Sequence, residues 1–501
     1  MRMKALKLSC NINLDHCLMA ISLMYILVPI IIFLFGWIRP IFAVVLSACV
    51  LFFLFKVYKY LSCNMIKIID KESRTYWFIV FICICFWVYL SGIGSFTYQN
   101  LDFWARNPIY RDLCDYSWPV VYNLSEQASG VQDILGNDSV AFAYYFSWWL
   151  PPAFITKIFS FGELERNICL YIWAVLGVFL IVYNIGRYLK KNSYVIPGFF
   201  IFFSGLDAVG KYLVDHGFAL TDHIEWWARY FQYSSNTSLL FWVFNQTIPI
   251  WLIVILLLQI KDTNSTLGVA SLAFAYSPWA TIGIIPIAVS TVISKSESIK
   301  KKITLQNIVI PLIMLIVYGS FYSASSGSSY GESGLIFLLY PNEKRQILLG
   351  YLMFIVLEFG IYFVLIGKSV RRDKYYYVIL GELLIMPLCR YLRGGNFAMR
   401  ASIPALFILM LYIMEFLMEK NVGMQIRKKI LIIVLIIGSL TPLTEINRSI
   451  YNTMNSSEIL QEQVHSLGAI RTEDKYMIQT IKEQFFVYDY ENSAFFKYLA
   501  K

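Results

Sequence analysis

Apolar runs of about 18 to 23 residues recur from end to end of the chain, long enough to cross a hydrocarbon core of about 30 Å. The pattern predicts membrane helices at roughly 18–36, 40–58, 77–95, 167–186, 195–210, 238–260, 265–276, 279–294, 305–323, 346–367, 375–392, 401–418 and 430–446. The pair at 265–276 and 279–294 is short and flanks Ser277-Pro278, which suits a re-entrant hairpin. No small-residue cleavage site follows the first run, Leu18 to Trp37, and a second apolar run starts at Pro40, so the first reads as a retained helix. The stretch from Val140 to Phe161 contains Trp148-Trp149-Leu150-Pro151-Pro152. Interfacial Trp and paired Pro there suit a helix lying in the outer surface, or a re-entrant one. The expected fold is an all-α polytopic transmembrane bundle of about thirteen spans with outer-face loops and interfacial helices. Residues 1–446 form the transmembrane domain with a first outer loop at 96–165, and residues 447–501 form an outer-face tail expected to be helical.

Composition agrees. The 501 residues are 58% hydrophobic and 15% charged, whereas a soluble domain is about a quarter charged. The net charge of +10 does not point to nucleic acid, because Lys and Arg cluster in short loops as the positive-inside rule expects. The clusters are Arg2, Lys4 and Lys7; Lys59, Lys67, Lys71 and Arg74; Arg187, Lys190 and Lys191; Lys295 and Lys300–Lys302; Lys368, Arg371, Arg372 and Lys374; Lys420 and Arg427–Lys429. All fall on one, cytoplasmic side if about thirteen segments cross and 140–161 does not. The outer side then holds 96–165, 211–237, 324–345, 390–400 and the tail. The nine cysteines form no CxxC pair and no Cys/His ligand spacing, which excludes a disulfide framework and a structural zinc site.

The outer loops carry the unusual polar residues. In the first, Asp102, Asp112, Asp115 and Asp138 lie among aromatics, with Arg106 four residues after Asp102; Arg111 and Asp112 are neighbours of a kind that commonly pair. Such carboxylates suit a general base, or a divalent metal ion on a phosphate; no other cofactor is indicated. The second loop brings His223, Glu225 and Trp226 together with further aromatics, the makings of a carbohydrate site in which ring faces stack on sugars and polar groups read hydroxyls. The His223–Glu225 spacing is not the i, i+4 spacing of a helical metal pair. Asn245 and Gln246 inside an apolar run must face protein or a cavity. Asp207, near the outer end of a run, is a functional candidate or the partner of Lys211 one turn on. The stretch Arg390–Arg400 holds Arg393, Gly394, Gly395, Asn396 and Arg400 on the face where Arg is scarce, a chemistry suited to a pyrophosphate.

No P-loop and no GxGxxG opening a soluble domain is present, and no cytoplasmic loop is long enough for a nucleotide-sugar domain. An outer-loop Asp soon after a membrane helix, a Tyr-Tyr…Pro-Pro segment, the turn Phe161–Glu163, Arg166 and a long apolar helix follow in order over roughly 99–193. That order resembles the first module of the GT-C superfamily of polyprenyl-phosphate-sugar-dependent glycosyltransferases. The family places its Asp after the first membrane helix, whereas two or more precede it here. The blocks Gly205–Asp207, His223–Asn236 and Arg393–Pro404 also resemble those of bacterial polytopic membrane proteins.

The resemblance implies an inner-membrane enzyme of surface-polysaccharide assembly (O-antigen or capsule), with an undecaprenyl-linked saccharide donor and acceptor in the lipid bilayer as partners. Asp102 would take the first-loop acid role, and Arg393 and Arg400 would stabilise the leaving phosphate. A repeat-unit polymerase shares the topology and donor. A lipid-linked oligosaccharide flippase is the rival of another class, and it predicts charges at several depths and inverted repeats, neither of which the sequence has. Sugar, linkage and oligomeric state are not legible.

Overall fold

The computed structural model describes residues 14–63, 66–70, 72–124, 139–260, 263–294, 304–325, 333–391, 395–419, 424–455, 465–469 and 484–501. Eight helices are long and apolar enough to cross a membrane: Leu14–Trp37, Pro40–Cys63, Glu163–Leu189, Val195–Asp215, Asn236–Gln259, Leu305–Ala324, Pro341–Val370 and Gln425–Asn455. Arg74–Tyr89, Thr266–Ala275, Pro278–Ile293, Tyr376–Leu388 and Ile403–Met418 occupy the remaining apolar runs but are only 10–17 residues long. A span needs about 20 residues, so length and composition carry eight crossings, and thirteen would need the shorter five to cross as well. Val140 to Phe161 forms no long helix. It holds a strand, a short turn and the helix Leu150–Phe159, whose ten residues reach about 15 Å, half a bilayer core. The paired prolines start that helix, where their missing N–H groups cost nothing.

The helix Asn236–Gln259 is the axis of the bundle. Of its most apolar 18-residue window, 94% is buried. It packs against Glu163–Leu189 on one side and against Ile403–Met418 and Leu440–Asn455 on others. It is also broken: Val243 has φ −136° and ψ 33°. A break inside a buried helix leaves backbone groups without partners, and a buried carbonyl must find another donor. Asn100 supplies it, with Nδ2 donating to the carbonyl of Phe241 at 2.8 Å. The same side chain accepts the N–H of Asp102 at 3.1 Å. One amide thus fastens the start of the first outer loop to the kink.

The expected helix at 195–210 is interrupted at Phe203–Leu206, and a new helix starts at Asp207. The freed backbone is again taken up from elsewhere: Tyr362 donates to the Ser204 carbonyl at 2.7 Å, and Leu206 N–H donates to Leu357 at 3.0 Å. Leu357 can accept because it lies in a π-bulge, Val356–Gly360. Gly205 packs so closely that an added Cβ would come within 2.9 Å of the Cα of Glu358.

The loops gather at two ends. At one, Asp15 accepts from Ile68, Ile69 and Tyr183, Asn192 donates to Ile68, and Lys191 reaches Met418. At the other, Tyr98 N–H donates to Thr453, the strands Gly334–Leu335 and Cys389–Arg390 pair, and Gly395 lies against Gln232. Among the described residues of the tail, only part is helical. Its strand Phe486–Val487 joins Val121–Asn123 and Ser139–Phe142 in a small antiparallel sheet, and the last residues close on the first helical hairpin, where Arg39 donates to the carbonyls of Lys497 and Ala500.

Two outcomes follow from this architecture. Asn100→Ala leaves the Phe241 carbonyl unpaired, at a cost of about 1–3 kcal/mol; thermal unfolding in detergent should show the loss, and an unchanged melting temperature would mean that water serves the kink equally well. The basic clusters predict that the second end faces away from the cytoplasm. In intact cells expressing variants with no other accessible cysteine, an impermeant maleimide should label Glu491→Cys and spare Arg372→Cys. The reverse pattern would turn the molecule over.

Candidate active site

A cavity of about 380 Å³ opens at this second end. Asp102 of the first outer loop, His223, Glu225 and Trp226 of the second, Trp242 and Val243 of the kinked helix, and Asn396 and Arg400 line it. Segments more than a hundred residues apart in sequence therefore share one chamber. Trp226 is 58% exposed and stands edge-on to His223, their ring centroids 4.6 Å apart.

One part of the site is cationic. Asp102 precedes the helix Phe103–Asp115 and takes Arg106 one turn on, Nη2 to Oδ2 at 2.6 Å. Arg106 is buried over the ring of Phe244, 5.3 Å from its centroid. Arg400, equally buried, donates Nη1 to the Asn396 carbonyl and side-chain oxygens at 3.1 and 2.7 Å. The two guanidiniums are near enough to repel each other, and Tyr144 lies close to both. Arg106 Nη1 and Arg400 Nε are buried without a hydrogen-bond partner among the described residues. The two like charges thus have a single carboxylate, Asp102, paired with one of them, and a buried donor unused on each.

The other part is acidic. His223 Nδ1 meets Glu445 Oε1 at 2.5 Å, and the second oxygen of Glu445 accepts from Arg448 at 2.8 Å and Trp242 at 3.2 Å. Burial works to lower the imidazole pKa, but the bond to Glu445 and its charge overcome it and hold the pKa above the usual histidine value. Glu225 accepts the N–H of Ser235, capping the kinked helix where the macrodipole favours a carboxylate. Burial raises its pKa, and the neighbouring Asp207 adds to the shift. Asp207 accepts from Ser204, Trp227 and Thr441. Lys211, its expected partner, pairs with Asp215 instead. Asp207 therefore supports the second loop from below and does not line the cavity.

Several expected site residues lie elsewhere. Asp112 is buried against the tail, accepting from Tyr122 at 2.6 Å and Leu467 N–H at 2.9 Å. Burial pushes its carboxyl up to about 7 against those bonds, and its work there is to hold the tail to the loop. Arg111 pairs with Glu163 rather than Asp112, and Asp115 pairs with Arg166. Asn245 and Gln246 face the bundle core, where Gln246 accepts from Ser277 at 2.8 Å. Gly395 does line the cavity, and it packs closely on Gln232 there, since a Cβ would approach that side chain's Cβ to 2.8 Å. Asp138, Arg393 and Gly394 lie outside the described residues, as do Arg2, Lys4, Lys7, Lys71, Lys295, Lys300–Lys302 and Lys420. Among the described residues no group of three His, Cys, Asp or Glu side chains is arranged to hold a metal.

Asn100, Trp242, Glu445 and Arg448 are absent from the residues that the sequence analysis singles out. Glu445 fell inside an apolar run, and the polar spacing Thr441, Thr444, Glu445, Arg448 was the available signal. These residues line one face of Leu440–Asn455, which packs on the loops.

A raised histidine pKa has a signed consequence for stability. The His223–Glu445 contribution is fully present below the unfolded histidine value and is lost as pH rises through the higher folded value. The difference in melting temperature between wild type and His223→Gln in detergent should therefore shrink from pH 6 to pH 9. A difference independent of pH would mean that the pair does not titrate in that range.

No family model, no curated protein and no solved structure matches the chain, so its function rests on the geometry of this cavity.

Proposed function

We propose that the chain is an integral-membrane glycosyltransferase that moves a sugar or oligosaccharide from an undecaprenyl-linked donor to a lipid-linked glycan at the non-cytoplasmic face. The observation that carries this reading is the buried guanidinium of Arg400 in the wall of a chamber that also holds acids, a histidine and an exposed tryptophan, with the buried guanidinium of Arg106 near it and a donor unused on each. In a sugar transfer, negative charge grows on the departing phosphate oxygen, and preorganised donors there lower the barrier. Arg106 and Arg400 supply such donors. Asp102 keeps Arg106 aimed and leaves its second oxygen for a substrate hydroxyl.

The volume, about 380 Å³, suits a saccharide with its phosphate, within the range of about 300–1,000 Å³ usual for ligand sites. Trp226 offers an open ring face at the rim for a sugar to stack on. A lipid-linked substrate fits a chamber at the end of an apolar bundle, because its tail stays in the bilayer while its head reaches the loops. A transporter would need polar groups distributed along a path, and the cavity residues belong to one end only.

Arginine geometry provides the test. If both guanidiniums grip phosphate oxygens, planar forks matter as well as charge. Arg400→Ala should lower glycan product per folded protein by about 100-fold or more, in the range of a lost transition-state donor, and Arg400→Lys should be clearly impaired. The readout is surface glycan normalised to membrane-inserted protein. Full activity of the Lys variants at both Arg106 and Arg400 would remove the phosphate clamp from the mechanism.

A further inference from the structure

We infer that His223, oriented by Glu445, accepts the proton of the acceptor hydroxyl, and that Asp102 does not. The inference rests on the transferase reading and assigns a residue role within the same site.

Three observations support it. First, Asp102 is already engaged by Arg106, whose Nη2 holds Oδ2 at 2.6 Å. Second, His223 reaches the cavity with one ring nitrogen committed. Nδ1 is bound to Glu445, which leaves Nε2 as the nitrogen available to a ligand. A histidine held in this way has a fixed tautomer and ring orientation, the arrangement that general bases use. Third, Glu445 is itself held: Arg448 and Trp242 occupy its other oxygen, and it is 1% exposed. Glu445 is a positioning residue that touches no substrate.

The groups acting on His223 come from each side. Glu445 and Arg448 face it from the last long helix and Glu225 from its own loop, while Asp102, Arg229 and Arg400 share the cavity. The carboxylates nearest the ring outweigh burial and Arg448, so the imidazole is a stronger base than a free histidine.

The step balances. The acceptor O–H gives its proton to His223 Nε2 while its oxygen bonds to the anomeric carbon of the donor. The bond from that carbon to the phosphate oxygen breaks, and the polyprenyl phosphate or diphosphate leaves with the electron pair, met by Arg106 and Arg400. The imidazolium, still paired with Glu445, then releases its proton to water. No oxidant, reductant or further reactant is needed.

Two measurements on the full chain test it. Diethyl pyrocarbonate acylates neutral imidazole, and peptide mass spectrometry separates His223 from His16, His216 and His465. In lipid nanodiscs, His223 should be modified with a pH midpoint above the free-histidine value of about 6.5, and Glu445→Gln should bring that midpoint down. A His223 that resists the reagent at every pH at which exposed His216 reacts would overturn the inference, because its free nitrogen would not face the cavity. In cells, His223→Gln should cut glycan product per inserted protein by about 100-fold or more, within the usual general-base range. In membrane vesicles, wild-type product formation should fall on the acid side as the imidazole protonates, and His223→Gln should lose that limb. If Arg400→Ala abolishes product while His223→Gln stays near wild type, the base is wrong and the transferase reading stands. If neither variant changes the surface glycan, the transferase reading falls and this inference with it.

Discussion

The fold turns on a single buried carbonyl. The central helix breaks at Val243, and Asn100 donates to the Phe241 oxygen two residues before the break. In so apolar a setting a carbonyl left without a donor is costly, and this side chain supplies one. Trp242 and Val243, at the break, line the cavity. Because Asn100 also holds the N–H of Asp102, the bond that permits the kink sets the position of the first-loop acid and of Arg106 behind it. Structure and site therefore share an element: neither the kink nor the placement of Asp102 stands without the other.

Charge is sorted within the chamber on the same logic. Glu225 feels Asp207, Glu445 and His223, and His223 feels Glu445 and Glu225, whereas Arg106 and Arg400 act on one another and each on Tyr144. Like charges gathered in a buried place raise its energy unless something offsets them. On the acidic side the offset is largely visible: Asp207 takes three hydrogen bonds, Glu225 accepts at the start of the kinked helix, and Glu445 has His223, Arg448 and Trp242. Each side keeps polar atoms without a partner among the described residues: Glu225 Oε2 and Arg448 Nε on the acidic side, Arg106 Nη1 and Arg400 Nε on the basic.

The helices were legible because lipid-length apolar runs admit few other structures; every predicted run carries a helix, most of them within a few residues of the expected bounds. The breaks were not. Ser204-Gly205-Leu206 reads as apolar helix continuing, and what interrupts it is the close approach of Glu358 and the carbonyl freed by a π-bulge, both more than a hundred residues away. The strand in the tail is hidden for the same reason: Phe486-Val487 pairs with a strand over three hundred residues earlier, and no local pattern announces an edge supplied by another loop. Of the site, Asp102, Arg106, His223, Glu225, Trp226, Asn396 and Arg400 were found as unusual polar or aromatic residues in outer loops. Asp112, Asp207, Asn245 and Gln246 are unusual in the same way, yet they lie away from the cavity. A buried polar residue signals only that a partner exists, and the sequence does not say whether that partner is protein or ligand.

Glu445 shows how that ambiguity resolves. By composition it is an acid near the end of an apolar run, no different from Glu358 or Glu382. What separates it is the company its position selects. One turn on, Arg448 shares its oxygen; across the groove, the kink delivers Trp242 to the same atom; and the second loop, capped onto the kinked helix by Glu225, brings His223 to the other. Three segments must be in register for one carboxylate to be satisfied, and satisfying it leaves a single ring nitrogen of His223 open to the cavity. A buried ion pair replaced as a whole by packed apolar side chains often costs little, although removal of one partner alone is costly. The arrangement around Glu445 makes sense as the means of holding His223 beside an anion site, because there a fixed imidazole does what a packed leucine cannot.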